Sequence, residues 1–312
     1  MEKRKQFDCV GVGLCAIDYL CLVPDYPAAN TKTEAVAYSR QGGGPIATAM
    51  VTLARLGAAV GFVGKVGADV EGEFVRAEFQ WENVDYSNLI VDKTERTPQA
   101  FIWVDQKTGD RSIVLNRTQW TPPNWDAIDH AVFAGTKFLH VDGRFPELEI
   151  PAIRLAKSHG AKIVMDAGGV RKEMDTYFSW VDYFVASETF FKSYFKNTSL
   201  ESGLKELITL GPRAAVVTLG NAGAMGADEN GLVRTPAFTI PVIDTTGAGD
   251  VYHGAFIFGL LQGWSLEKTM IFSGAVAGLK CRRLGGRKGI PSLRETQDFL
   301  LKNGFQEFEA KL

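Results

Sequence analysis

The segment Asp244-Thr245-Thr246-Gly247-Ala248-Gly249-Asp250 combines a backbone cradle for an anion with a carboxylate able to accept a proton. Ile240 to Ile243 read as the end of a strand and Val251 to Ile257 as the helix that follows. Gly247 and Gly249 let the chain turn tightly and aim N–H groups at one spot, where the positive end of the new helix favours negative charge. Asp250 falls in the first turn of that helix. Its carboxylate can therefore reach a hydroxyl while the N–H groups hold the charge that develops on a transferred phosphoryl group. These residues are the minimum equipment for phosphorylating an alcohol. A lone GxG would be an ordinary capped turn, but a long motif in a strand–turn–helix setting is far less prone to chance matching.

Other glycine segments surround this one in the sequence. Gly42-Gly43-Gly44 precedes Pro45, and three glycines in a row are costly in backbone entropy unless something must approach closely. Thr218-Leu219-Gly220-Asn221-Ala222-Gly223 follows a strand, and no GxxxxGK[ST] occurs, which excludes a P-loop kinase. Gly11-Val12-Gly13-Leu14-Cys15-Ala16 satisfies the dinucleotide pattern GxGxxA, with Glu34 at about the distance of a ribose-binding acid, and supports a rival reading as a nicotinamide-dependent oxidoreductase. That pattern should open a helix, whereas Tyr19 to Val23 read as extended and Pro24 and Pro27 follow closely. His130, His140, His159 and His253 are scattered and read as packed or surface side chains.

The elements that must position these residues alternate. Strands are expected at 7–12, 19–23, 60–63, 138–141, 162–166, 183–186 and 214–219, and helices at 46–56, 70–81, 149–159 and 200–210. This alternation builds a parallel sheet covered by helices. Pro45 suits the first helical position and Gly57 the stop, and Ser292 with Glu295 is spaced as a capping box in a helical C-terminal third. Phe101 to Val104 and Ser112 to Leu115 break the rule, because Lys107-Thr108-Gly109-Asp110 joins them without a helix, as in a hairpin.

Composition agrees with a globular chain. Of 312 residues, 46% are hydrophobic and 22% charged, so neither disorder nor a coiled coil fits. A net charge of −2 with no basic block argues against nucleic acid as a partner, and no apolar run is long enough for a membrane span. Residues 1–8 are basic without a signal-peptide core, and Cys9, Cys15, Cys21 and Cys281 lack zinc spacing, so reduced thiols in a cytoplasmic protein are expected.

Over essentially its whole length the chain resembles the ribokinase or PfkB family of carbohydrate kinases, most closely in Asp244 to Ala255 and in Gly64-Lys65-Val66-Gly67-Ala68-Asp69. The resemblance implies one ribokinase-like three-layer α/β/α domain over 1–312, with a mainly parallel sheet and a small β-sheet lid from about 14–40 and 97–117 that covers the sugar and often pairs with a second subunit's lid. It implies Asp250 as catalytic base and Gly247, Ala248 and Gly249 as anion hole. Asp18, Gly42, Gly43 and Gly44 would meet the sugar; Thr218, Gly220, Gly223, Thr246, Gly278 and Gly286 would meet ATP. Magnesium is implied, with Asp166 and Glu188 as indirect contacts, and K+ in those members that hold a monovalent cation beside the anion hole. Two departures stand out. Ala47 replaces a frequent sugar-binding asparagine, and Ser187 and Phe190 replace the ends of the family's NxxE motif.

The wording around Gly42 to Pro45, Lys280-Cys281 and Gly285-Gly286-Arg287 looks most like the sulfofructose kinase branch of that family. Lys32, Asn116 and Arg144 fall where that branch holds its sulfonate, and Lys with Arg and an amide suits such an anion. Within the fold, a nucleoside kinase or a neutral-sugar kinase is the alternative; outside it, the oxidoreductase or a catalytically silent sugar sensor.

Overall fold

A computed structural model describes residues 6–118, 120–306, 308 and 310; the basic residues 1–5 lie outside it. The chain begins β1 (Phe7–Val12), β2 (Ala16–Val23), β3 (Ala37–Gly43), α1 (Pro45–Arg55), β4 (Val60–Gly67), α2 (Val70–Trp81) and β5 (Val84–Asp92). It continues through β6 (Gln99–Asp105), β7 (Arg111–Asn116), β8 (Thr136–Val141), α3 (Pro146–Ser158), β9 (Lys162–Ala167), β10 (Tyr183–Ser187), α4 (Glu188–Tyr194) and α5 (Leu200–Thr209). It ends with β11 (Ala214–Thr218), β12 (Ala224–Asp228), β13 (Gly231–Thr235), α6 (Ala248–Leu261), α7 (Leu266–Lys280) and α8 (Leu293–Lys302).

Nine strands form the large sheet in the order β13-β12-β11-β10-β9-β8-β1-β4-β5, parallel from β11 to β5 and antiparallel only at β12 and β13. Its inner strands are buried along nearly their whole length, as a sheet covered on both faces requires. The expected parallel α/β architecture is what forms. Helix α6 is buried for nine consecutive residues, Val251 to Gly259, and packs between α1 and α7. Gly254 allows the close approach: a Cβ there would stand 2.5 Å from the Ala49 carbonyl oxygen.

The second sheet has the order β3-β2-β6-β7. Strands β6 and β7 form the expected hairpin, but β2 pairs with β6 in parallel and with β3 antiparallel, so the small sheet is mixed. Its third strand, β3, was not expected from sequence and runs through Gly43, which places Gly42 and Gly43 within a strand rather than a loop. Strands β5, β12 and β13 and helix α4 are also additions.

One expected strand does not form. Residues 240–243 have no regular structure, because the Ile243 and Asp244 N–H groups both donate to the Cys281 carbonyl at the end of α7. The capping box holds, with Ser292 and Glu295 bonded both ways.

Candidate active site

Gly247 is the N-cap of α6 at φ 73, and no side chain caps this helix end. The first intrahelical bond runs from Val251 N to the Gly247 carbonyl, so the first-turn N–H groups of Gly249 and Asp250 have no partner within the helix. That is an anion site in waiting. The left-handed residue is Gly247 alone; Gly249 lies in ordinary helical backbone and a Cβ on it would meet open space. Gly247 is also crowded, since its Cβ would stand 2.9 Å from Gly286 Cα. Gly286, expected at the nucleotide, instead buttresses the turn and is not among the residues lining the neighbouring cavity.

Asp250 is half-buried, and its carboxyl is pushed up to about 6 by burial and by the Asp166 carboxylate, against the pull of His253, Arg111 and Lys280. Asp18, in the middle of β2 and buried, is pushed up to about 7 by burial, opposed by Arg287 and reinforced by Asp250, Glu78 and Asp244. Two carboxylates, one on β2 and one in the first turn of α6, thus act on each other across one site. Gly43 makes room for one of them: a Cβ there would lie 2.1 Å from Asp18 Oδ1. Gly42 donates its N–H to Glu78 Oε2 at 2.9 Å, and Gly44, at φ 96, caps α1 against the Leu14 carbonyl.

Arg287, 1% exposed, bolts this glycine segment down. Its guanidinium donates to the Gly43 carbonyl at 3.0 Å and pairs with Glu78, while its N–H meets Gln41 Oε1. Nothing in the sequence pattern marks this role.

A cavity of about 510 Å3 opens beside the turn. Thr218, Gly220, Gly223 and Gly278, four of the residues expected at ATP, line it together with Ala248, Gly249 and the unanticipated stretch Pro236 to Ile240. Gly220 and Gly223 both take positive φ. Thr246 is a correction: it is buried behind the turn, its N–H bonded to Asp244 Oδ1 at 2.8 Å, and does not line the cavity.

The histidines are not all scattered. His253, one turn after Asp250 on α6, stands 3.2 Å from Asp166 Oδ1 and 5.6 Å from the His140 ring. Burial opposes charge on His253, but Asp166 outweighs it and raises the ring above its ordinary value; burial and the His253 charge push His140 down to about 4. The spacing of Asp250 and His253 at i, i+3 was the available signal.

Glu188 opens α4 and pairs with Lys192 at 2.7 Å, and Asp166 is committed to His253. Ser187 caps α4 by accepting from Phe190 N, and Phe190 is buried core. Among the described residues no three His, Cys, Asp or Glu side chains gather as a metal set. The residues do not fit a protein-built magnesium cage; the ion would come with the phosphates of ATP and its own waters.

The three residues expected to hold an anionic group are placed unequally. Lys32 is exposed on the 24–36 connection, with no hydrogen bond or ion pair among the described residues. Asn116 ends β7, exposed, bonded to Gln99 and Thr118. Arg144 is half-buried and donates to Asp142 at 3.2 Å on a loop stapled by Glu149, which accepts from the N–H groups of Gly143, Arg144 and Phe145. Two arginines that the sequence did not single out join it: burial, then the charges of Arg144 and Arg171, hold Arg117 below its ordinary value. Arg171 Nε is buried with no partner among the described residues.

The GxGxxA segment leads from β1 directly into β2, with no helix at Gly13, so the dinucleotide reading has no structural basis. No helix among the described residues is long and apolar enough to cross a membrane.

Known proteins resemble the chain throughout. Ketohexokinase of Mus musculus is 26% identical over 292 residues, spanning 89% of this chain and 97% of that protein. The 5-dehydro-2-deoxygluconokinase of Clostridium perfringens is 28% identical over 325 residues, spanning 96% and 94%. A ribokinase of Arabidopsis thaliana, solved with ribose and ATP, superposes with a TM-score of 0.81 at 21% identity, covering 95% of this chain and 99% of that one. The sequence pattern of the pfkB family carbohydrate kinases matches residues 6–293, and the chain belongs to that family as an ATP-dependent sugar kinase.

Proposed function

We propose that the chain phosphorylates a primary hydroxyl of an anionic ketohexose, with 6-deoxy-6-sulfofructose as its type. ATP lies along the cavity with its γ-phosphate over the start of α6. Asp250 takes the hydroxyl proton in line with transfer, the first-turn N–H groups hold the charge, and Asp18 grips sugar hydroxyls above Gly43. Positioning and charge stabilisation do most of the work in such transfers. The small sheet acts as lid over a single domain, its open face with Tyr38, Phe101 and Val114 exposed suits a second copy's lid in a homodimer, and the setting is the cytoplasm. A monovalent cation beside the turn is no part of this reading, because Lys280 stands there.

One observation carries the anionic substrate: Arg117, Arg144 and Arg171 crowd together with Asp142, and Arg171 Nε lacks a partner among the described residues. Like charges held close are costly unless an anion joins them. Steady-state kinetics with 6-deoxy-6-sulfofructose, fructose 6-phosphate, fructose and ribose test it. The sulfonated sugar should have the highest kcat/KM, and Arg144→Ala should lower that value more for charged than for neutral sugars. A neutral sugar with the higher kcat/KM overturns the assignment.

A further inference from the structure

Lys280, the last residue of α7, is wholly buried. An ammonium ion so placed is costly unless its protons meet acceptors. Its Nζ donates to the main-chain carbonyl of Asp244 at 2.9 Å and to that of Thr246. Both carbonyls belong to the irregular segment that leads into the anion turn. The Asp244 carboxylate, itself fixed by Thr246 N and Gly285 N, supplies the compensating charge.

The contact sets a direction. A trans peptide is planar with its C=O and N–H pointing opposite ways, so turning the Thr246 carbonyl toward Lys280 turns the Gly247 N–H away from it, toward the phosphate side. Two carbonyls converging on one charge are also the kind of seat that holds potassium, an ion close in size to ammonium.

We propose that Lys280 is a built-in monovalent cation: its ammonium fills a carbonyl-lined seat beneath the anion turn that a potassium ion would otherwise occupy, and turnover therefore needs no monovalent salt. The assignment rests on the reading of this turn as the anion hole. Lys280 is a positioning residue, acting through the Thr246–Gly247 peptide and not on the substrate.

Turnover of the wild-type protein on the best sugar of the four named above should differ by less than about twofold between potassium and tetramethylammonium chloride at equal ionic strength. Lys280→Met should lose on the order of 10²–10³-fold in tetramethylammonium, the usual loss for a misplaced oxyanion donor. Potassium, rubidium or ammonium salts should restore much of it and lithium should not. In crystals soaked with rubidium, an anomalous peak should appear between the Asp244 and Thr246 carbonyls of Lys280→Met and not of wild type. Wild-type activation by potassium, or a Lys280→Met protein that folds, binds no rubidium and is not rescued, overturns the proposal while leaving the kinase reading intact. If Lys280→Met does not fold, the wild-type salt series alone decides. If none of the four sugars is turned over in any salt, the substrate reading fails, and the rubidium experiment alone decides whether Lys280 fills the seat.

Discussion

The two ends of this site are built in opposite ways. At the proposed phosphate end, a contiguous segment is braced by buried partners: Asp244 by two N–H groups, Gly247 by Gly286, and the carbonyls behind the turn by Lys280. Its helix has no polar face to release. At the proposed sugar end, Asp18 rides on a four-stranded sheet whose outer side chains at Tyr38, Phe101 and Val114 are exposed, and the basic residues follow the ends of separate strands. Buried bracing is thus concentrated where the proposed mechanism develops charge, and the more exposed framework lies where it holds the sugar.

The largest test of this contrast is Asp250→Asn. It should leave fold and ATP binding nearly unchanged and lower kcat by roughly 10²–10⁴-fold, the worth of a positioned general base. A variant that retains more than about a tenth of wild-type turnover would show that the phosphate end lacks the base assigned to it.

Gly43→Ala attacks the sugar end. Its methyl group would collide with the Asp18 carboxylate, so KM for the sugar should rise by roughly tenfold or more, about 1.4 kcal/mol, with KM for ATP little changed. Equal changes in both constants would erase the division between the two ends.

The pH dependence joins them. Asp250 must be ionised to accept a proton, so kcat/KM should fall as pH drops through about 6, with Asp18 adding a second ionisation near 7. The apparent values belong to the pair. Activity that stays level down to pH 5, about a unit below the Asp250 value, would remove Asp250 from the proton-accepting role.

The smallest effect is on stability. A carboxyl whose folded-state value is raised contributes stability that is full below its unfolded value near 3.9 and lost as pH rises through about 7. Asp18→Asn should therefore stabilise the sugar-free protein at pH 8, by at most about 4 kcal/mol from a rise of about three units at 1.36 kcal/mol each, and raise Tm by several degrees. The gain should vanish near pH 4. A loss of Tm at pH 8 would mean that the Asp18 charge supports the fold.

Legibility from sequence follows the same division. The anion turn is seven consecutive residues with a strong backbone signature, so it was readable, except that only Gly247 needs the left-handed region. The parallel sheet was readable because its buried strands are nearly continuous Val, Ile and Phe. Strand β3 was not, since Tyr38, Ser39, Arg40 and Gln41 carry no apolar alternation and are held by pairing with β2. The β2–β6 pairing joins residues about 80 positions apart, Asp18 with Ala100, and has no local trace. Arg287, Lys280, Arg117 and Arg171 take their roles from distant contacts made only on folding. His253 was within reach, one helical turn from Asp250, but its partner Asp166 lies on another strand.

The hairpin between β6 and β7 ends on the anion turn: the Gly109 carbonyl accepts from Thr245 Oγ1 at 3.1 Å, and Arg111 donates to the same hydroxyl at 3.0 Å. A tilt of the small sheet must break these bonds or carry the turn with it. A sugar that tilted the sheet would thereby be linked to a nucleotide beside the turn, each tightening the other by the same factor, since linkage between two binding equilibria is reciprocal. Water would then be a poor stand-in for the sugar, because it would fill the acceptor's place without moving the sheet, and ATP beside an empty lid would be spared idle hydrolysis.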